Sequence, residues 1–274
     1  MSNRNSQQNK QAARERLRAE RERQAKKDKT RRQLVVGGSV VAVLAVAAGI
    51  GVAATQLGGS GGSKSSNSSW DAAAKKTLVE PANTAGKGGT DITVGDPKAK
   101  HTLEVYQDMR CPICSVFEQN VGQTIQKDVK DGTYKVTYHI GTFLDKNMGG
   151  TGSKNALSAI GAAVNVSPEA FVAYNQALYS KTNHPEENQD KFADDDYLLK
   201  IAQQVPALKD NAEFKKNVTE GTFDKWALNV SDTFDNTKDV TGTPTLKLDG
   251  KKLTKGEGVP MTPADFESAV KDHL

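Results

Sequence analysis

The chain has 274 residues, of which 36% are hydrophobic and 26% charged, a balance typical of one soluble domain with non-globular additions. Residues 1–33 hold 12 Lys/Arg and 4 Asp/Glu, a net charge of +8, so the overall +4 leaves −4 for the remainder. The basic residues adjoin a hydrophobic run and do not belong to the folded domain, which argues against nucleic-acid binding. Two cysteines are too few for a small secreted scaffold held together by disulfides.

The first 57 residues combine a basic segment with an apolar one. Residues 1–33 are polar on every side and predict a cytoplasmic tail whose last lysines and arginines can contact anionic lipids. Residues 34–57 carry no charge, and a helix of that length reaches about 36 Å, enough to cross a hydrocarbon core of about 30 Å. A cleaved signal peptide is the alternative, but its apolar core is usually only about 7–15 residues long. We therefore expect a single transmembrane helix, with the basic side in the cytoplasm.

The next segment, residues 58–88, begins GGSGGSKSSNSS and predicts a flexible linker. The remaining residues, 89–274, are numerous enough to form one domain with a sizeable core.

Within that domain the pattern changes from strands to helices and back. Strands are predicted at 91–94, 101–107 and 134–140, with a helix from 111 to about 130 between the last two. This β-α-β unit predicts parallel strands. Helical patterns fill the region from about 150 to 238, and strand character returns at 245–248. A hairpin at Asp249-Gly250 and a last helix after Thr262-Pro263 complete the order.

Cys111-Pro112-Ile113-Cys114 lies where the second strand gives way to a helix. The free amide groups and the dipole of a helix N-terminus favour an anion there, so Cys111 should have a lowered pKa. Pro112 suits the first helical turn because it has no amide hydrogen to lose. We expect Cys111 to be exposed and to attack as a thiolate, and Cys114 to be more buried and to resolve the mixed disulfide.

A structural disulfide and half of a metal site are the two alternatives for this pair. A zinc site needs two more ligands, and the four histidines of the chain show no ligand spacing. We expect neither a metal ion nor another cofactor.

The sequence resembles the DsbA-like branch of the thioredoxin superfamily over residues 89–274. The resemblance rests on the Cys-Pro-Ile-Cys motif after the strand HTLEVYQD, the helical block inserted after it, and Gly242-Thr243-Pro244-Thr245 before a strand. It implies a thioredoxin-like α/β fold with an inserted helical subdomain. It also implies a cis peptide bond before Pro244, which faces the cysteines, and a Thr243 backbone that helps to hold a client peptide.

The sequence departs from this family at two positions. Strong oxidants of the family have histidine where this chain has Ile113, which cannot donate a hydrogen bond. We therefore expect a potential below the strong oxidant's value of about −120 mV. Many relatives carry a buried acid at the position of Val105, and Glu104 should face away from it. Asp108, Glu118 or water remain as substitutes. Arg110 precedes Cys111 and could favour the thiolate by its charge, but a solvated surface side chain is the stronger expectation.

These features predict a membrane-tethered, extracytoplasmic thiol–disulfide oxidoreductase of the plasma membrane, acting on thiols or disulfides of exported proteins. Whether it oxidises, reduces or isomerises stays open, and an oxidase needs a membrane redox partner. The alternative is a tethered peptide-binding or chaperone-like module with a structural disulfide. A third possibility is a lipid-surface or scaffold protein that works through its basic tail.

Overall fold

The computed structural model describes residues 67–274, so the predicted tail 1–33, the predicted span 34–57 and residues 58–66 lie outside it. Within residues 67–274 no helix is long and apolar enough to cross a membrane. The helices are α1 (Asn67–Ala74), α2 (Pro112–Lys130), α3 (Phe143–Met148), α4 (Gly152–Val166), α5 (Pro168–Tyr179), α6 (Asp195–Ala202), α7 (Ala212–Glu220), α8 (Asp224–Asp235) and α9 (Pro263–Lys271). The strands are β1 (Ile92–Val94), β2 (Thr102–Asp108), β3 (Lys135–Gly141), β4 (Thr245–Leu248) and β5 (Lys251–Lys252).

The five strands form one sheet in the order β1-β3-β2-β4-β5. β2 and β3 are parallel and joined by α2, which confirms the predicted β-α-β unit. The other pairs are antiparallel. Because β2 and β3 run together, their carboxyl ends, Asp108 and Gly141, lie side by side. The loop that leads to the cysteines therefore starts at this edge.

The two faces of the sheet receive different helices because successive strand residues alternate between them. Val105 and Tyr138 are paired across β2 and β3, and Gln126 of α2 donates a hydrogen bond to the Tyr138 hydroxyl at 3.0 Å. On the opposite face the Tyr106 ring meets Phe234 of α8, with centroids 6.1 Å apart. The active-site helix and the insertion thus enclose the sheet from both sides.

The predicted helical block is present between β3 and β4, and it starts earlier than predicted because α3 follows β3 almost directly. Local signals set its boundaries. The Ser167 hydroxyl accepts a bond from the Ala170 amide at 3.0 Å and caps α5. Gly221 ends α7 in the left-handed region, with φ 58°, a conformation that glycine adopts without strain.

Residues 67–88 of the predicted linker are folded, which corrects the prediction of a flexible segment throughout 58–88. α1 packs against α8, and Trp70 is only 5% exposed. The Lys154 ammonium lies 5.7 Å from the centre of the Trp70 ring. Farther along, the Trp226 indole donates to the Gly89 carbonyl at 2.7 Å. Burial of one large aromatic side chain outweighs the polar composition around it.

The hairpin between β4 and β5 turns at Asp249 and Gly250, with φ of 50° and 78°, as the Asp-Gly pair predicts. The Asp249 carboxylate also accepts a bond from the Thr102 amide at 2.9 Å, which ties the turn to β2. β5 forms one edge of the sheet, and its two lysines, Lys251 and Lys252, are exposed.

Candidate active site

Cys111 is the N-cap of α2, directly after the loop that leaves β2. Its backbone is extended, with φ −72° and ψ 115°, and its sulfur accepts a hydrogen bond from the Cys114 amide at 3.3 Å. Pro112 occupies the first turn of the helix. The unbridged sulfur therefore lies at the positive end of the helix dipole, where a thiolate is stabilised.

The two thiols have opposite protonation tendencies. Hydrogen bonding from the Cys114 side chain, helped by Thr243 and the first amides of α2, lowers the pKa of Cys111 to about 6 against the opposing effect of burial. Burial, together with the neighbouring Cys111, raises the pKa of Cys114 well above the ordinary value of a thiol. The site thus favours ionisation of Cys111 and keeps the proton on Cys114.

The structure corrects the expected exposure of the first cysteine. Cys111 is 6% exposed and Cys114 is 2% exposed, so only a small part of either sulfur is open to solvent. The loop before β4 covers the pair, since the Cys111 thiol lies 3.5 Å from the Thr243 carbonyl. The order of burial agrees with the predicted roles, but neither sulfur is as exposed as predicted for the first cysteine.

The other predicted support residues lie around Cys111. The Thr243–Pro244 peptide bond is cis, as the resemblance implies. Pro244 is buried and Pro112 is half-buried, whereas the Ile113 side chain is 53% exposed. The predicted residues therefore meet at one place, and Ile113 presents an apolar surface beside the thiolate.

Arg110 contradicts the prediction of a solvated surface side chain. It is only 2% exposed, and its guanidinium donates to the Asp145 carboxylate at 3.0 Å and to the Gly149 carbonyl at 2.8 Å. A second carboxylate, that of Asp190, lies 3.3 Å away. An arginine is buried in this way only when carboxylates compensate its charge.

Two buried carboxyl groups, those of Asp108 and Glu118, lie near the cysteines. Either could replace the acid that the resemblance leads one to expect at the position of Val105. Burial raises the pKa of Asp108 and of Glu118 to about 7 in each case. Asp108 accepts bonds from the Ser153 hydroxyl at 2.6 Å and from the Leu144 amide at 3.1 Å, which ties β2 to the insertion. Glu118 lies one helical turn after Cys114 and has a hydrogen bond from Gln176.

The prediction for Glu104 is confirmed. Its carboxylate accepts a bond from the Tyr106 hydroxyl at 3.0 Å on the face of the sheet away from α2. No group of His, Cys, Asp or Glu within residues 67–274 is arranged to hold a metal ion.

Comparison with known proteins decides the family. A family model described as thioredoxin matches residues 87–272. The chain belongs to the thioredoxin family. It lies in the DsbA-like branch, whose members are protein thiol–disulfide oxidoreductases.

The relatives in that branch are of similar size. "Disulfide bond formation protein D" of Bacillus subtilis is 25% identical over 180 residues, which cover 64% of this chain and 77% of the relative. The reduced form of the disulfide bond oxidoreductase DsbG from Mycobacterium tuberculosis is 25% identical, with a TM-score of 0.56. That match covers 69% of this chain and 88% of DsbG.

A match of a different kind is the serine/threonine-protein kinase PknE of Mycobacterium tuberculosis, 28% identical over 159 residues. These cover 56% of this chain but only 27% of the kinase. The chain therefore spans about a quarter of the length of that relative, and no kinase activity is carried over from it.

Sequence reasoning missed the residues of the insertion that contact the loop before Cys111, namely Tyr179, His184, Asp145 and Asp190. They lie 34 or more positions from Cys111 in the chain. No local pattern marks them, because only the tertiary fold brings them to the loop.

Proposed function

We propose that the chain is a membrane-tethered, extracytoplasmic thiol–disulfide oxidoreductase that exchanges disulfides with exported proteins through Cys111 and Cys114. The observation that carries the proposal is the pairing of a stabilised thiolate at the start of α2 with a buried, protonated thiol one turn later. A purely structural disulfide has no need for such a difference between its two sulfurs.

Disulfide donation proceeds in two exchange steps. A client thiolate attacks the Cys111 sulfur of the Cys111–Cys114 disulfide, and the S–S bond breaks with its electron pair passing to Cys114, which takes up a proton. A second client thiolate then attacks the client sulfur of the mixed disulfide and releases Cys111 as a thiolate. The client loses two electrons and two protons, and the cysteine pair is reduced.

The stability of the released thiolate supports the oxidase direction, which we propose. A pKa of about 6 makes Cys111 a better leaving group than an ordinary thiol, which favours donation of the disulfide. The Ile113 side chain has no hydrogen-bond donor, so we place the potential below that of the strong oxidant at about −120 mV. A measured value near −270 mV, that of thioredoxin, contradicts the oxidase direction.

An oxidase of this kind has to be reoxidised, and we propose a partner in the membrane for that step. Residues 34–57 would anchor the chain, with residues 1–33 in the cytoplasm and the catalytic domain outside. Protease digestion of intact cells tests this arrangement. The domain should be cut and the tail protected, and the reverse pattern refutes it.

The client contacts would come from the loop before β4 and from α2. The Thr243 main chain lies within reach of the Cys111 sulfur, and Ile113 offers exposed apolar surface next to it. Together with Pro112 and Pro244, these residues can bind the main chain of an extended peptide with little specificity for its side chains.

Replacement of Cys111 by serine tests the proposal directly. The Cys111→Ser variant should lose the oxidation of a reduced client and the reduction of insulin, whereas Cys114→Ser should accumulate a mixed disulfide. If Cys111→Ser retains full exchange activity, the oxidoreductase proposal fails, and the peptide-binding module becomes the better account.

A further inference from the structure

The three residues before Cys111 are all held by one segment of the helical insertion, residues 179–190, which we name the strap. The Tyr179 hydroxyl donates to the Asp108 carbonyl at 2.9 Å. The His184 Nε2 lies 3.1 Å from the Met109 carbonyl, and a carbonyl only accepts, so this nitrogen is the donor. These contacts fix two consecutive peptide groups immediately before the nucleophile.

Arg110 is the third residue held by the strap, and here the residue before Cys111 is the donor. Its guanidinium donates to the Glu187 carbonyl at 3.2 Å and lies 3.3 Å from the Asp190 carboxylate. Gly150 and Gly152 leave room for that carboxylate, since a methyl group at either position would overlap it. The Asp190 oxygens accept bonds from the backbone amides of Thr151 and Gly152 at 2.9 Å, which locks the end of the strap.

The strap also holds the helix on the far side of the nucleophile. The Tyr179 carbonyl accepts bonds from the Ser115 hydroxyl at 2.7 Å and from the Gln119 amide at 2.9 Å, both on α2. The Tyr179 ring stacks on the His184 ring, with centroids 5.6 Å apart. A single aromatic residue is therefore bonded to the chain before Cys111 and to the chain after it.

We propose that the strap positions the Cys111 sulfur at the N-terminus of α2 and so sets the redox poise of the cysteine pair from outside the Cys-Pro-Ile-Cys motif. Tyr179, His184 and Arg110 act as positioning residues, because their hydrogen bonds go to main-chain carbonyls and, for Arg110, also to the Asp145 carboxylate, and not to the Cys111 sulfur. The inference deepens the proposed function and rests on it. A sulfur that accepts bonds from helix amides loses them when the preceding backbone moves, because hydrogen bonds weaken steeply with angle.

The decisive comparison is between two tyrosines of α5. Tyr179 and Tyr174 are both fully buried, and each donates to a main-chain carbonyl, Tyr174 to that of Leu198 at 3.0 Å. Tyr179→Phe and Tyr174→Phe thus delete the same kind of bond, but only the first bond belongs to the strap. In full-length protein in detergent, thiolate absorbance at 240 nm is followed against pH, and the equilibrium with glutathione is measured.

We expect Tyr179→Phe and His184→Leu to shift the ionisation midpoint of Cys111 upward and to make the disulfide about threefold less oxidising, roughly 14 mV for a two-electron couple. Tyr174→Phe should match the wild type, and His184→Gln, which keeps a donor, should recover part of the effect. Arg110→Lys should act in the same direction because an ammonium group lacks the guanidinium fork.

If Tyr179→Phe and His184→Leu fold and titrate like Tyr174→Phe, the strap has no such role. The titration is read without any client, so this failure is distinct from a failure of exchange with exported proteins. If Arg110→Lys does not fold, the titrations of Tyr179→Phe and His184→Leu still decide whether the strap sets the redox poise.

Discussion

Replacement of Glu118 by glutamine should stabilise the protein at neutral and alkaline pH. The carboxyl group is buried in α2, and burial raises its pKa from 4.5 to about 7. Below about pH 4.5 the group is protonated in both the folded and the unfolded chain, so it costs nothing. As the pH rises from there through about 7, the unfolded chain ionises first and the folded protein loses stability.

The size of the effect follows from the two pKa values. A difference of about 2.5 pH units at about 1.4 kcal/mol each gives a cost of roughly 3 kcal/mol at pH 8. Glutamine has the same shape, keeps a hydrogen bond with Gln176 and carries no charge. For a domain of this size, about 3 kcal/mol corresponds to a rise in Tm of roughly 6–12 °C.

Thermal unfolding of wild type and Glu118→Gln at pH 4 and pH 8 provides the test. We expect coincident Tm values at pH 4 and a clearly higher Tm for the variant at pH 8. Glu220→Gln, a change of the same chemistry at an exposed helix end, should alter neither value. A variant that is equally stable or less stable than wild type at pH 8 refutes the reasoning.

Three further outcomes are expected. Alkylation of Cys111 by iodoacetamide, followed by mass spectrometry, should have its midpoint near pH 6, and a midpoint above pH 8 contradicts the stabilised thiolate. Gly122→Ala should lower the free energy of unfolding, measured in urea, by about 1–3 kcal/mol because the added methyl group overlaps the Glu118 carboxyl. In a Glu118→Ala background this loss should vanish, and its persistence argues against this contact. Trp70→Ala should cost roughly 3 kcal/mol, whereas Val79→Ala at an exposed site should cost almost nothing; equal effects mean that α1 is not docked.

The β2–α2–β3 unit could be predicted because its signals are local. Alternation in HTLEVYQ and YKVTYHI and helical periodicity after Cys111 each depend on residues a few positions apart. The placement of Cys111 at a helix start follows from the same patterns. The cis peptide bond before Pro244 could be predicted only from the family resemblance, because the conformational propensities of the four residues around it do not require a cis bond.

The error at Arg110 has a different origin. Arginine is rarely buried, so its residue type predicts exposure. Its burial depends on Asp145 and Asp190, which are 35 and 80 positions away and reach it through separate elements. The error in the linker is similar, because a polar, glycine-rich surrounding masked the burial of Trp70 on a helix that packs against α8.

The β5 edge of the sheet has a consequence if the protein handles unfolded clients, as we propose. Such chains readily extend an open strand, and the result is aggregation of enzyme with client. β5 is only two residues long and carries Lys251 and Lys252, whose charges oppose the addition of another strand. Under the proposed function, the Thr243 main chain would meet a client beside Cys111, while the short, charged edge strand β5 would discourage unproductive strand addition.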